Sequence, residues 1–149
     1  ATYLCFSFAN RTLRFVVNQS DRKMPTLHTP SSNGTEFQFD IDANESIVIT
    51  SQSSKKHRYH IDAINDLYLW LKETKKGEWV YLGTKSEHET PNQGTVEEWA
   101  RSPNNPRRGF YGLTNGLRGR FSSFIPPILE MNNLVEIEHK ARNNRIRAL

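Results

Sequence analysis

The fold of this chain turns on one stretch: Gly112-Leu-Thr-Asn-Gly-Leu-Arg-Gly-Arg-Phe-Ser-Ser-Phe124, then Ile125-Pro-Pro-Ile-Leu-Glu-Met-Asn-Asn-Leu-Val-Glu-Ile-Glu138, then His139-Lys-Ala-Arg-Asn-Asn-Arg-Ile-Arg147. Leu113, Leu117, Phe121 and Phe124 recur at steps of three and four, the spacing that aligns side chains on one helix face. Thr114 is placed to cap that helix. Pro126-Pro127 removes two amide donors and is expected to kink or break it, yet Ile128 and Leu129 carry the apolar register on to Asn132-Asn133. Leu134 to Ala141 changes to the alternation of a strand. Asn143-Asn144 tolerates positive φ and can turn a hairpin into Arg145–Leu149.

Upstream, Ile61, Ile64, Leu67, Tyr68 and Leu71 predict an amphipathic helix over 61–74, ended by Lys75, Lys76 and Gly77. Glu78 to Gly83 reads as a short strand and Thr84 to Gly94 as polar loop. Thr95-Val-Glu-Glu98 fits a capping box for a second helix, which Ser102-Pro103 must stop. Before residue 61 the pattern is of strands. Leu13, Phe15 and Val17 alternate with polar neighbours, as do Phe37, Phe39 and Ile41, then Ile47 and Ile49. Turn chemistry lies at Asp42–Asn44 and Ser51–Lys56, and residues 20–35 read as a connection. The expected class is α+β, with a β-rich unit over 1–60 and a three-helix plus hairpin unit over 61–149.

Charge is unevenly spread. From Arg101 to Leu149 there are nine cations, eight of them arginine, against Glu130, Glu136 and Glu138, a net of +6. The first hundred residues hold eleven cations and thirteen acids, and the whole chain carries +4. Arginine presents a planar fork of donors suited to phosphate, so the asymmetry points to a polyanionic partner. Three clusters carry it: Arg107-Arg108 in a loop, Arg118 and Arg120 on the expected third helix, and Arg142, Arg145 and Arg147 about the Asn143-Asn144 turn.

This ending resembles a winged-helix DNA-binding domain. Gly112–Phe124 looks like its recognition helix, Ile128–Glu138 like the passage from that helix into the first wing strand, and His139–Arg147 like the wing and its return. The likeness spans about the last 90 residues, with 61–74 and 96–101 as supporting helices. It implies that Asn115, Arg118 and Ser122 share the face that enters a major groove roughly 12 Å wide. Arg118 would then read guanine and Asn115 adenine, with Arg120 beside them and Gly119 allowing close approach of the backbone to DNA. Arg142, Asn143, Asn144, Arg145 and Arg147 would follow phosphate at the wing, and Arg107 and Arg108 would anchor the other side. Duplex DNA is the expected partner and RNA ranks below it. The β-rich half offers a homodimerisation surface, a second DNA contact or a partner surface, and the sequence does not choose among them.

Catalytic chemistry is thinner. Glu138-x-Lys140 at a strand end suits a Mg²⁺-dependent nuclease of the restriction-enzyme type, but needs a second acid, and none lies between Arg101 and Leu129. Asp40 or Asp42 would have to supply it. An RNA- or protein-interaction module is the other alternative. Glu87-His-Glu89 and the pair His57 and His60 lack the spacing of a metal site, so no catalytic residue, metal or cofactor is expected.

Composition, at 36% hydrophobic and 24% charged, reads as a globular protein with no apolar run of the roughly 20 residues that a membrane helix needs. Lone Cys5 cannot make an internal disulfide, which favours a reducing compartment, cytoplasmic or nucleoid-associated, or nuclear in a eukaryote. Ala1 points to processing after an initiator or to excision from a longer protein. Asn-x-Ser/Thr triplets at Asn10, Asn18, Asn33 and Asn44 read as chance occurrences, since no signal peptide accompanies them. Trp70 and Trp99 are expected in the core, and Trp79 and Tyr81 are the better candidates for exposure.

Overall fold

The computed structural model describes residues 2–8 and 11–17 as backbone, and residues 25–42, 46–114 and 117–149 with their side chains. The fold is α+β. Strands β1 (Thr2–Phe8) and β2 (Arg11–Val17) form an antiparallel ladder in the register Thr2↔Val17 to Phe8↔Arg11. A second antiparallel sheet follows as a meander in the order β3 (Thr26–His28), β4 (Glu36–Ile41), β5 (Ser46–Ser51) and β6 (Lys56–His60). The expected alternation holds in β4, where Phe37 and Phe39 are buried between exposed Glu36 and Gln38. Central β5 is apolar on both faces, with Ile47, Val48 and Ile49 all buried.

Helix α1 (Asp62–Leu69) continues through a π turn at Trp70–Thr74, closed by the Lys75 amide on the Trp70 carbonyl at 2.9 Å. Together these occupy the span that the periodicity predicts, and Gly77 ends them at φ +75°. β7 (Val80–Tyr81) leads by a long loop to α2 (Val96–Arg101), where the Thr95 hydroxyl accepts from the Glu98 amide at 3.2 Å as the capping box requires. α3 (Phe121–Met131) precedes β8 (Val135–Ile137) and β9 (Arg145–Ala148), and the last sheet has the order β7-β9-β8. After residue 61 the chain therefore runs helix, strand, helix, helix, strand, strand.

The third helix differs from expectation at both ends. It starts at Phe121 because residues 112–113 and 118–120 spend backbone groups on other parts of the protein. Gly112 bridges to Tyr59, the Leu113 amide donates to Arg58, and the Arg120 amide donates to the Lys85 carbonyl. The Glu87 carboxylate takes the amides of both Arg118 and Gly119. A Cβ on Gly119 would lie 2.5 Å from the Glu87 backbone nitrogen, so this glycine permits contact with the 86–87 loop, whereas the sequence reading assigned it to DNA. At the other end the helix runs over Pro126 and Pro127 to Met131, as the apolar register of Ile128 and Leu129 foretells; of the expected kink or break, the break does not occur.

Every residue of α3 from Phe121 to Leu129 is buried. Phe124 meets Phe37 edge-on at 5.2 Å and stacks on His57 at 5.5 Å, so the meander sheet covers one side. Helices α1 and α2 and strand β8 pack on it elsewhere. The sheet and the helices share one hydrophobic core, and the expected boundary at residue 60 falls inside it. Trp99 belongs to that core and stacks on half-buried Trp70 at 5.1 Å. Exposed Asn33 is the one glycosylation-type triplet that begins among the described residues; Asn10, Asn18 and Asn44 lie outside them.

Candidate nucleic-acid interface

Burial decides which of the expected contact residues can meet a ligand. Ser122 is completely buried: its hydroxyl donates to Glu97 at 3.1 Å and lies 2.6 Å from the Thr84 hydroxyl. It reads no base. Glu97 is itself fully buried and takes the amides of Phe121 and Ser122 at 3.3 Å each, with the Arg101 Nε at 3.3 Å. This carboxylate therefore caps the first turn of α3 from another helix. Burial raises its pKa, while Arg101 and the Ser122 bonds oppose the rise. Asn115 lies outside the described residues.

Arg118 sits on no helix. Its Nη2 donates to the Arg101 carbonyl at 2.7 Å, its Nε to Gly109 at 3.3 Å, and its guanidinium lies 4.9 Å from the Phe110 ring centre. It ties loops together where the sequence reading had it reading guanine. Arg145 and Arg147 are also engaged. Arg145 Nη2 meets Glu138 at 2.6 Å, Arg147 Nη2 meets Glu136 at 2.6 Å, and both guanidiniums lie over Trp79 at 5.0 and 4.6 Å. Asn144 is buried and spends its amide on both backbone groups of Lys140. Half-buried Arg107 stands near Asp66, whose pKa it helps to lower against the larger effect of burial.

Among the described residues, three of the expected arginines are exposed and make no ion pair or side-chain hydrogen bond: Arg108, Arg120 and Arg142. Arg108 and Arg120 hold φ of 53° and 62°, as does Asn143 at 56°; such φ values are uncommon outside glycine. Arg120 connects to its neighbours in two directions. With Lys55 it acts on the half-buried His57 ring, whose pKa is lowered first by burial and then by repulsion from these two cations. On the other side its amide is bonded to Lys85, and Lys85 and Arg142 line one cleft. Lys55 and Arg120 thus both stand near His57, the Arg120 backbone adjoins that of Lys85, and Lys85 shares the cleft with Arg142 of the β8–β9 turn. Two acids lie beside them: Glu87, on the Arg118 and Gly119 amides, and Glu89, 4.0 Å from Lys85, with its carboxylate bonded to Ser86 and its pKa lowered chiefly by those bonds.

The cleft was not legible in the sequence. It has a volume of about 310 Å³ between the β3–β4 turn, the β7–α2 loop and the β8–β9 turn. A second cavity of about 340 Å³ adjoins it, shares Gly83, Asn92 and Asn143, and adds Tyr81, Gln93 and Thr95. The one advance signal was the expected exposure of Tyr81, which is 53% exposed.

Among the described residues, the acids of the nuclease reading have partners within the protein. Glu138 is bonded to Arg145 and lies 3.2 Å from Lys140, with its pKa held down to about 2, mainly by the Arg145 guanidinium. Asp42 pairs with Arg58, and Asp40 accepts from the Ile41 amide at 2.8 Å. Among the described residues no three His, Cys, Asp or Glu side chains converge as metal ligands, and no helix is long and apolar enough to cross a membrane.

The chain belongs to a family of unknown function (DUF6855), which matches residues 18–149. No curated protein and no solved structure matches it.

Proposed function

We propose that this chain is a DNA-binding module that grips the duplex by its sugar-phosphate backbone. The observation that carries the reading is the band of Lys55, Arg120, Lys85 and Arg142, in which, among the described residues, three cations make no ion pair and Lys85 lies 4.0 Å from Glu89. Phosphate contacts fix a protein on DNA without reading sequence, and base-edge contacts supply specificity. With α3 buried from Phe121 to Leu129, no side chain in that span is free to enter a groove. Contact falls to the loops before α3 and to the β8–β9 turn.

Support for a winged-helix ancestry of the unit comes from its element order, helix-strand-helix-helix-strand-strand, and from the strand order β7-β9-β8. The long β8–β9 connection stands where a wing would, with Arg142 exposed at its tip. The covered α3 makes this a variant that lacks the usual reading helix.

A gel shift with randomised duplexes at low and physiological salt tests the reading. Neutralising phosphates releases counterions, so four cations predict a log–log slope of about −3 to −4. Binding that ignores salt, or no binding at low salt, contradicts it.

A further inference from the structure

We infer that the paired cavities beneath the β8–β9 turn form a pocket for one unstacked nucleotide. The two ends of this cleft differ in chemistry. Lys85 and Arg142 line the first cavity, and Arg142 is exposed and has no ion pair or side-chain hydrogen bond among the described residues. Tyr81, Asn92, Gln93 and Asn143 line the second. An aromatic ring gives a base a stacking surface, and carboxamides match the donor–acceptor pairs on base edges. Cations at the other end suit the phosphate.

These side chains are held in reserve. Among the described residues, the amides of Asn92, Gln93 and Asn143 and the Tyr81 hydroxyl make no hydrogen bond within the protein, whereas neighbouring Asn144 and the remote Asn105 are buried and fully engaged. The backbone that presents them is fixed. The Thr95 hydroxyl donates to the Asn92 carbonyl at 2.7 Å, and the Leu82 amide donates to the Asn144 carbonyl at 3.0 Å. Gly83, shared by both cavities, has φ +62° and would place a Cβ 2.4 Å from Thr95. The joint volumes fall in the roughly 300–1,000 Å³ range of small-molecule sites. Pro30 and Leu82 add apolar wall.

The nucleotide could be free or extruded from a strand; only the second source rests on the DNA-binding reading above. Three probes distinguish these: a deoxynucleoside 5′-monophosphate, a fully paired duplex, and the same duplex with one extrahelical nucleotide. Amide chemical shifts and fluorescence anisotropy are read on the full chain. The expected result is about tenfold tighter binding of the bulged than of the paired duplex, a stacking-sized gain. Tyr81→Phe keeps that preference. Tyr81→Ala and Gln93→Ala each abolish it without changing affinity for the paired duplex. Binding of the monophosphate with shifts at Asn92, Gln93 and Asn143, but of neither duplex, upholds the pocket and overturns the DNA reading. Equal binding of the two duplexes, with no monophosphate shifts at these residues, overturns the pocket and leaves the DNA reading standing. No binding of any probe overturns both.

Discussion

Arginine count and arginine availability part company in this protein. Arg118, Arg145 and Arg147 belong to the basic stretch that the sequence singles out, yet each is spent on carbonyls, carboxylates or rings of the protein itself. Sequence gives the charge of such a residue but not its partner: Glu136 and Glu138 face Arg147 and Arg145 only once β8 and β9 pair, with Glu136 opposite Arg147 in the register. Arg120→Ala and Arg142→Ala are each expected to lower the salt slope of DNA binding by about 1. Arg147→Ala, which breaks a solvent-exposed pair, is expected to leave that slope unchanged and to cost less than about 1 kcal/mol of stability by chemical denaturation. Glu138 gives a pH test. Its carboxyl titrates at about 2 in the folded chain against 4.5 ordinarily, so the folded state binds fewer protons between these values. Its contribution to stability is present above pH 4.5 and is lost as pH falls through about 2. Melting curves of Glu138→Gln should show a flatter acid limb than those of the wild type; equal limbs would refute the assignment.

At the scale of elements, periodicity located α1 and the end of α3, which bury apolar faces, and the capping box at Thr95 with the stop at Ser102-Pro103 located α2. The start of α3 was misplaced for a physical reason. Leu113 and Leu117 keep helical spacing, but the backbone of residues 112–113 and 118–120 is claimed by β6, Lys85 and Glu87, groups 31 to 55 residues away in sequence. Local pattern holds no record of such partners. Gly119→Ala should therefore destabilise the protein by about 1–3 kcal/mol, since the added methyl meets backbone that has nowhere to go. A helix running through 112–120 would instead gain stability from alanine, so the sign of the change discriminates. Glu97→Ala removes the cap on α3 and leaves two buried amides unsatisfied, at about 1–3 kcal/mol for each buried donor. Glu97→Gln, which keeps one acceptor oxygen, should lose less in the same denaturation series.

For the molecule as a whole, class and the order of elements were legible, while the way the halves join was not. Alternation in β4 marks Phe37 and Phe39 as inward-facing, but not that their cover is α3. That packing is what removes α3 from any groove and shifts the candidate interface to a band and a cleft built from separate segments. A fragment of residues 61–149 should fail to fold cooperatively, because it uncovers Phe121 and Phe124; a sharp thermal transition and dispersed amide spectrum would refute a shared core. The claim at the centre of the account is that binding runs through the unpaired cations. Its most direct test is duplex affinity against salt concentration for the wild type, Arg120→Ala with Arg142→Ala, and Arg145→Ala with Arg147→Ala. The account predicts that the first pair flattens the salt slope by about 2 and the second pair leaves it unchanged. The reverse pattern, with the β9 arginines carrying the slope, would contradict it.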